Sequence, residues 1–171
     1  MLSESVQGLM NEQIKHEIYS AHLYLSMAAF CDHEDWLGAS AWLTHQYEEE
    51  LEHARKFVNF VQDRNGRVTV PGIDKPPEAF AGLLDVFQQS LEHEQKVTGL
   101  INRIYDRARE ENDYASQEFL NWFVNEQVEE EKMVSDILGK LKHAGGDSAA
   151  MLMIDRELGE RTGATDGGGQ S

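Results

Sequence analysis

Proline is confined to one short part of this chain. All three prolines fall between residues 64 and 79, whereas residues 4–63 and 80–143 contain none. Proline interrupts helices, and both long segments carry apolar residues at alternating spacings of three and four. We therefore predict that both long segments are helical and that the chain is all-α.

Each long segment contains one polar break, DHEDW at residues 32–36 and EENDY at residues 110–114. Aspartate and asparagine in such breaks can cap a helix, so each segment is predicted to form two helices joined by a tight turn. The four predicted helices run from about residue 4 to 32, 35 to 63, 79 to 110 and 113 to 143.

The connection lengths predict how these helices are arranged. Short turns make the first and second helices antiparallel neighbours, and likewise the third and fourth. The proline-containing segment can stretch ~50 Å at ~3.3 Å per residue, about the length of a helix, so the third helix can start parallel to the second. The expected fold is a four-helix bundle with one long crossover. Gly145 and Gly146 end the fourth helix, and AAMLMIDREL predicts a short fifth helix at the C-terminal end.

Composition limits the possible functions. A chain of 171 residues is one domain of ordinary size. Its net charge of -16, without any basic block, makes nucleic acid a poor partner and cations a plausible one. No membrane segment or signal peptide is recognisable, so we expect a cytoplasmic protein. Cys31 is the single cysteine, which excludes internal disulfides and cysteine-rich metal sites. Any metal must therefore be bound by oxygen and nitrogen.

Polar residues interrupt the apolar stripe of every predicted helix. On the third helix, for example, the stripe runs through Leu84, Phe87 and Leu91 before it reaches an acid. The interruptions are Glu17 on the first helix, Glu50 and His53 on the second, Glu94 on the third, and Gln127 and Glu130 on the fourth. Stripes of this kind normally pack against one another in the core. These polar side chains are therefore predicted to be buried.

The interruptions are also predicted to lie at one height. Antiparallel neighbours place residues equidistant from their turn side by side. The midpoint of Glu17 and Glu50 falls in the first turn, and that of Glu94 and Glu130 falls in the second. Four carboxylates, one imidazole and one amide should thus meet in an otherwise apolar interior.

Burial of four carboxylates requires compensation. An ionised carboxylate in the interior costs several kcal/mol, and neighbouring acids repel one another. No lysine or arginine lies on the four stripes, whereas two divalent cations would balance the charge. Oxygen-rich ligation with one imidazole suits iron or manganese better than structural zinc. A lone histidine is more often an ordinary core residue, and Tyr24 on the same face could pack without any function or hydrogen-bond a metal ligand.

With these residues in place, the sequence resembles the non-haem bacterial ferritins over residues 1–160. The resemblance implies a ferritin-like diiron domain there and leaves residues 161–171 as a tail that we expect to be disordered. It implies a ferroxidase centre in which Glu17, Glu50 and His53 hold the first iron, Glu50 bridges, and Glu94 and Glu130 serve the second. Gln127 would lie close by, and Tyr24 matches the family's nearby tyrosine.

The same resemblance implies a third iron site beside this centre. Its residues would be Glu49, Glu126, Glu129 and Glu130, of which the last three share one side of the fourth helix. A solvated acidic face would have the same pattern. Haem is not expected, because the haem-ligating methionine of bacterioferritins corresponds to Leu51 here. The second ExxH motif of bacterioferritins and the cysteine pairs of rubrerythrins are also missing from the sequence.

The resemblance predicts a ferroxidase and iron store. Two Fe(II) ions would be oxidised by O2 or H2O2, and hydrated ferric oxide would accumulate inside a cage of roughly twenty-four chains, a closed assembly of the kind typical of homo-oligomers. Two other functions stay open at this point. The chain could be a diiron oxygenase acting on an organic substrate, or a passive metal buffer or helical scaffold.

Overall fold

The computed structural model describes residues 2–162, which form five α-helices and contain no strand. The helices are α1 (Glu4–His33), α2 (Leu37–Asp63), α3 (Leu83–Glu110), α4 (Tyr114–Ala144) and α5 (Ser148–Thr162). The predicted all-α fold, with a four-helix bundle, a long crossover and a short fifth helix, is confirmed. Of the predicted tail at residues 161–171, residues 161–162 belong to α5, and residues 163–171 lie outside the described residues. None of the described helices has the length and apolar character needed to span a membrane.

The tight turns between paired helices contain residues in the left-handed region. Asp35 has a φ of 62° between α1 and α2, and Asn112 has a φ of 54° between α3 and α4. Aspartate and asparagine tolerate this conformation because their short polar side chains can hydrogen-bond locally. Asp113 then caps α4, since its side chain accepts a hydrogen bond from the backbone N–H of Ser116. These turns make each helix pair antiparallel.

The third helix starts later than the sequence predicted, at Leu83 instead of residue 79. Phe80 leaves the crossover to pack edge-on against Phe30 of α1, with ring centroids 5.2 Å apart. The chain then passes through Gly82, whose φ of 140° is available to glycine and strained for other residues. Docking of Phe80 therefore keeps residues 79–82 out of the helix.

The crossover is attached to α1 by amide side chains. The Asn11 amide donates to the carbonyl of Arg67 at 3.0 Å and accepts from the N–H of Thr69 at 3.1 Å. Gln7 accepts a further hydrogen bond from the N–H of Arg67 at 3.0 Å. The backbone N–H and C=O groups of an irregular segment have no partners in a helix or sheet, so these side chains supply their hydrogen bonds. The long connection is therefore fixed along the bundle.

The fifth helix packs against the start of α2. Both carboxylate oxygens of Asp155 accept hydrogen bonds there, from the N–H groups of Gly38 at 3.1 Å and Ala39 at 2.8 Å. The first N–H groups of a helix lack partners within the helix, so Asp155 acts as a cap supplied from a distant part of the chain. Gly38 and Gly159 allow the two backbones to approach closely.

The apolar core is divided into two clusters. One includes Leu23, Met27, Leu43, Phe87 and Ile137, toward the α1–α2 turn. The other includes Met10, Ile14, Phe57, Ile101 and Phe123, toward the opposite end of the bundle. Along every long helix, the predicted polar interruptions fall between residues of these two clusters. The polar layer therefore separates the two halves of the core.

The stripe predicted for α3 was partly wrong. Leu84 is 44% exposed, and Leu83 and Val86 are buried in its place. The buried face of α3 is therefore shifted relative to the predicted stripe. Glu94 is nevertheless fully buried, as predicted.

Candidate metal centre

The six predicted interruptions all lie in the interior, and none is more than 4% exposed. They are Glu17, Glu50, His53, Glu94, Gln127 and Glu130. Each of the four bundle helices supplies at least one of them, because each helix turns its interrupted apolar stripe inward. The result is a compact polar layer enclosed by apolar side chains above and below.

Glu17, Glu50 and His53 form the tightest group in this layer. Each offers one ligand atom, and the three atoms lie within 4.8 Å of one another. The Nδ1 atom of His53 is 3.3 Å from Oε2 of Glu50. Among the described residues, that Oε2 atom is buried without a hydrogen-bond partner. A buried acceptor without a donor is costly, so this oxygen is well suited to a cation.

Glu94 is held by two neighbours from other helices. Tyr24 on α1, which is fully buried, donates a short hydrogen bond from its hydroxyl to Oε1 of Glu94. Gln127 on α4 donates from Nε2 to Oε2 of Glu94 at 3.2 Å. Of the two possibilities left open for Tyr24, the structure therefore favours a hydrogen bond to a candidate ligand. Glu94 lies outside the group of three described above.

Glu130 occupies the same layer on α4. Gln46 of α2 donates from Nε2 to Oε2 of Glu130 at 2.9 Å. The pKa of Glu130 is raised to about 9, mainly by burial and further by the nearby charges of Glu94, Glu49 and Glu126. A carboxyl group of this kind holds its proton at neutral pH until a cation replaces it.

The pKa values of the other three acids in the layer are raised as well. Burial is the largest cause that raises the pKa of Glu17, and the charge of Glu50 adds to it. Burial likewise raises the pKa of Glu50, with the charge of Glu94 next, and it raises the pKa of Glu94. Desolvation and mutual repulsion both disfavour four anions in one small volume. Divalent cations would remove both costs.

The imidazole of His53 is enclosed by aromatic rings. Trp122 and Phe123 of α4 meet it edge-on, with ring centroids at 5.4 Å and 5.8 Å. The ammonium of Lys56 lies 3.7 Å from the centre of the Trp122 ring. The aromatic contacts restrict the orientation of the imidazole and leave Nδ1 near Glu50.

A family model described as a ferritin-like domain matches residues 7–144 of the chain.

The chain belongs to the ferritin family.

Curated relatives agree over almost the whole length. A bacterial non-heme ferritin of Staphylococcus aureus (strain USA300) is 38% identical over 162 residues, which cover 95% of this chain and 98% of that protein. A probable bacterial non-heme ferritin-like protein of Haemophilus influenzae is 38% identical over 159 residues, covering 93% and 96%. The resemblance to non-haem bacterial ferritins is therefore confirmed.

Solved structures give the same result. The open pore ferritin of the archaeon Archaeoglobus fulgidus superposes with a TM-score of 0.92 at 43% sequence identity, covering 93% of this chain and 98% of that one. A closed form of that ferritin, obtained by site-directed mutagenesis, superposes with a TM-score of 0.91. Identity and overall similarity at this level confirm the ferritin-like architecture.

The residues predicted for a third iron site are more exposed than the central acids. Glu49 and Glu126 are partly buried, and Glu129 is exposed. The pKa of Glu126 is raised by partial burial and by the charges of Glu129 and Glu49, so the acids influence one another. Glu49 also lies 3.6 Å from Nε2 of His45. Within the described residues, this group is an acidic surface beside the centre, and its role in binding iron stays a prediction.

Two residues that contact the candidate ligands were not predicted from the sequence. Gln13 donates from Nε2 to Oε1 of Glu17 at 2.8 Å, and Gln46 contacts Glu130 in the way described above. Gln13 precedes Glu17 by four residues, a spacing at which glutamine and an acid interact on a helix. Gln46 precedes Glu50 by four residues, so the two lie on the same face of α2. The sequence therefore places both glutamines near the acids, but it does not identify the carboxylate that accepts each hydrogen bond.

Proposed function

We propose that this ferritin stores iron and is a ferroxidase, with a dinuclear centre inside the helical bundle. The observation that carries the proposal is the layer of four buried glutamates with one histidine, in which Oε2 of Glu50 has no hydrogen-bond partner among the described residues. Without metal, such a layer does not stabilise the fold, because it replaces hydrophobic contacts and requires polar groups to lose their hydration. Iron binding supplies the missing compensation.

The positions of the candidate ligands support the following proposed roles. Glu17, Glu50 and His53 hold one Fe(II), as their mutual proximity allows. Glu94 and Glu130 hold the second, and Glu50 bridges the two. Tyr24 and Gln127 fix the orientation of Glu94 by hydrogen bonds. Carboxylate ligands are hard donors, which favours the ferric product over the ferrous substrate.

The proposed reaction needs no organic cofactor, because iron is itself the substrate. Each of two Fe(II) ions gives up one electron, and O2 accepts the pair and two protons to form H2O2. With H2O2 as the oxidant, two electrons from two Fe(II) ions and two protons convert it to two molecules of water. The bundle contributes a dry pocket with fixed ligands, and its aromatic wall around His53 excludes bulk water from one side. Ferric ions then leave for the mineral store.

We propose that the acids at 49, 126 and 129 form the third iron site together with Glu130, on the path from the centre to the store. Storage requires an enclosed space, so the chain is proposed to assemble into a cage of roughly twenty-four copies with closed symmetry. Several large apolar side chains stay exposed on the single chain and would be covered by such contacts, among them Leu37, Val70, Leu152 and Met153. A cytoplasmic location fits this function.

The proposal is tested by anaerobic loading of the iron-free protein with Fe(II), followed by admission of O2. We expect two Fe(II) per chain to be oxidised in a fast phase, with one O2 consumed per pair. Glu50→Ala should slow this phase by a factor of 100 or more, on the order of the effect of losing a shared metal ligand. Glu48→Ala is the matched control, because Glu48 lies on the same helix but is exposed.

Other outcomes would indicate the alternative functions. Iron binding without acceleration of oxidation would indicate a passive buffer. A requirement for an organic substrate or an electron donor before O2 is consumed would indicate an oxygenase. Light scattering on the wild type and on Glu50→Ala measures assembly separately, and both proteins are expected to form the same large particle. A fast phase of wild-type rate in Glu50→Ala would contradict the proposed bridging role.

A further inference from the structure

Two buried glutamines contact the candidate ligands and have been given no function so far. Gln13 donates from Nε2 to Oε1 of Glu17 at 2.8 Å, within α1. Gln46 of α2 donates from Nε2 to Oε2 of Glu130 on α4 at 2.9 Å. Both glutamine side chains belong to residues that are 1% exposed. A polar side chain at this depth is costly to bury, so its hydrogen bond is an essential part of its environment.

The two amides approach the polar layer from opposite ends of the bundle. Gln13 lies one helical turn before Glu17 on α1, toward the end at which the bundle begins. Gln46 lies one turn before Glu50 on α2, which runs in the opposite direction, and is therefore nearer to the α1–α2 turn. Each glutamine contacts a different carboxylate. In the proposed centre, these two carboxylates belong to different irons.

The chemistry of an amide suits this position. A lysine or arginine could also donate to a buried carboxylate, but its positive charge would repel an incoming metal ion. An amide donates without net charge. By occupying one oxygen of the carboxylate, it also leaves the other oxygen available for a metal. Glu50, the proposed bridging ligand, has by contrast an oxygen with no hydrogen-bond partner among the described residues.

From this geometry we infer that Gln13 and Gln46 are a pair of positioning residues, each of which fixes one non-bridging carboxylate at a different metal position. Gln13 orients Glu17 for the metal shared with His53, and Gln46 orients Glu130 for the other metal. The inference rests on the proposed dinuclear centre. It divides the centre into two positions that can be weakened separately, because no single amide contacts both carboxylates.

The inference predicts a crossed pattern of metal affinities. Substitution by methionine keeps the length and shape of each side chain and removes the donor. Loss of a group that orients a ligand typically weakens metal binding by about 10–100-fold. Gln13→Met should lower the affinity for one Co(II) ion by at least about 10-fold and leave the affinity for the other within about 2-fold of the wild type. Gln46→Met should have the reverse effect.

Anaerobic Co(II) titration of the full-length, iron-free protein measures these affinities from the visible absorption of each bound ion. Gln88→Met is the matched control. Gln88 donates to Glu92 at 3.1 Å with the same four-residue spacing as Gln13 and Glu17, but on the exposed surface. Its titration should equal that of the wild type. Glu17→Ala and Glu130→Ala are titrated in parallel to show which binding step depends on which glutamate. Glu17→Ala should weaken the same step as Gln13→Met, and Glu130→Ala the same step as Gln46→Met.

Three outcomes are decisive. The inference is supported if each glutamine variant loses affinity for a different Co(II) ion and the alanine variant of its partner glutamate loses affinity for the same ion. Unchanged affinities, or equal weakening of both ions by either glutamine variant, would overturn it, since the amides would then have no specific effect or only a general structural one. Wild-type protein that binds fewer than two Co(II) ions per chain would instead contradict the proposed dinuclear centre. If a methionine variant loses its helical circular dichroism, Gln13→Leu or Gln46→Leu replaces it in the same comparison.

Discussion

At the scale of single residues, the buried acids are in different states in the metal-free and metal-bound protein. The raised pKa values favour protonated side chains when no metal is present. Cations must therefore displace protons from the same oxygen atoms. This competition links the stability of the protein, its metal affinity and pH in a way that can be measured.

The first prediction concerns the pH dependence of stability. A carboxyl group whose folded pKa is raised stabilises the fold at low pH, and this contribution is lost as pH rises through the folded value. For Glu130 the window runs from the unfolded value of about 4.3 to the folded value of about 9. With a chelator present, the melting temperature should therefore fall from about pH 6 to about pH 9, while added Zn(II) should raise it more at the higher pH.

Calorimetry with chelator and with Zn(II) at both pH values measures this effect. The surface of this acidic chain also gains negative charge as pH rises, so Glu130→Gln is the necessary comparison. That variant should lose part of the pH dependence in the presence of chelator. An identical pH profile in both proteins would show that Glu130 does not contribute.

The second prediction concerns Cys31. Burial raises the pKa of its thiol to about 12, with a further contribution from the charge of Asp155, and the residue is fully buried. The thiolate is the reactive form of cysteine, so iodoacetamide should not modify the native protein at about pH 8. Intact mass should show no added group before unfolding in guanidinium and one afterwards. Ser135→Cys, which adds an exposed thiol, should gain one label while native. Rapid labelling of native wild type would contradict the burial of Cys31.

At the scale of the helices, regular features were predictable and long-range contacts were not. The periodic stripes placed Glu17, Glu50, Glu94 and Glu130 in the interior because helix geometry is local. Connection lengths gave the topology for the same reason. The cap that Asp155 provides for α2 joins residues more than a hundred positions apart, and no local pattern indicates it. The start of α3 was predicted too early because it depends on where Phe80 docks.

The third prediction concerns the contact between α2 and α5. A Cβ atom added at Gly38 would lie 1.8 Å from the carbonyl oxygen of Asp155, so Gly38→Ala must move the fifth helix. We expect a loss of about 1–3 kcal/mol in the free energy of unfolding, as for other overpacked sites. Gly139 on α4 has no atom close to its added Cβ, and Gly139→Ala should stabilise the protein by about 0.5–1 kcal/mol. Denaturant unfolding measures both.

A Gly38→Ala protein of wild-type stability would show that α5 can shift without cost. Hydrogen exchange at the start of α2 distinguishes a displaced helix from a general loosening. Displacement should raise exchange at the N–H groups of Gly38 and Ala39, which bond to Asp155, and leave the middle of α4 unchanged.

At the scale of the whole molecule, the net charge is expected to affect how fast Fe(II) binds. The chain carries a net charge of -16, so the field around it favours the approach of cations. The fourth prediction is that the rate constant for Fe(II) binding falls as ionic strength rises, because salt screens that field. Stopped-flow measurements at low and high salt test this. The reaction of preloaded protein with O2 serves as control and should not change, since O2 is neutral. A binding rate independent of salt would exclude electrostatic attraction as a contributor.

The polar layer between the two apolar clusters has a further consequence for the empty protein. Each cluster can hold its own end of the bundle together, whereas the layer between them consists mainly of the polar residues described above, joined by hydrogen bonds from Tyr24, Gln13, Gln46 and Gln127. The middle of the long helices should then open more readily than either end. Bound iron would thus complete the interior packing of the protein. A cell short of iron would then contain a looser form of the same protein that is degraded more easily.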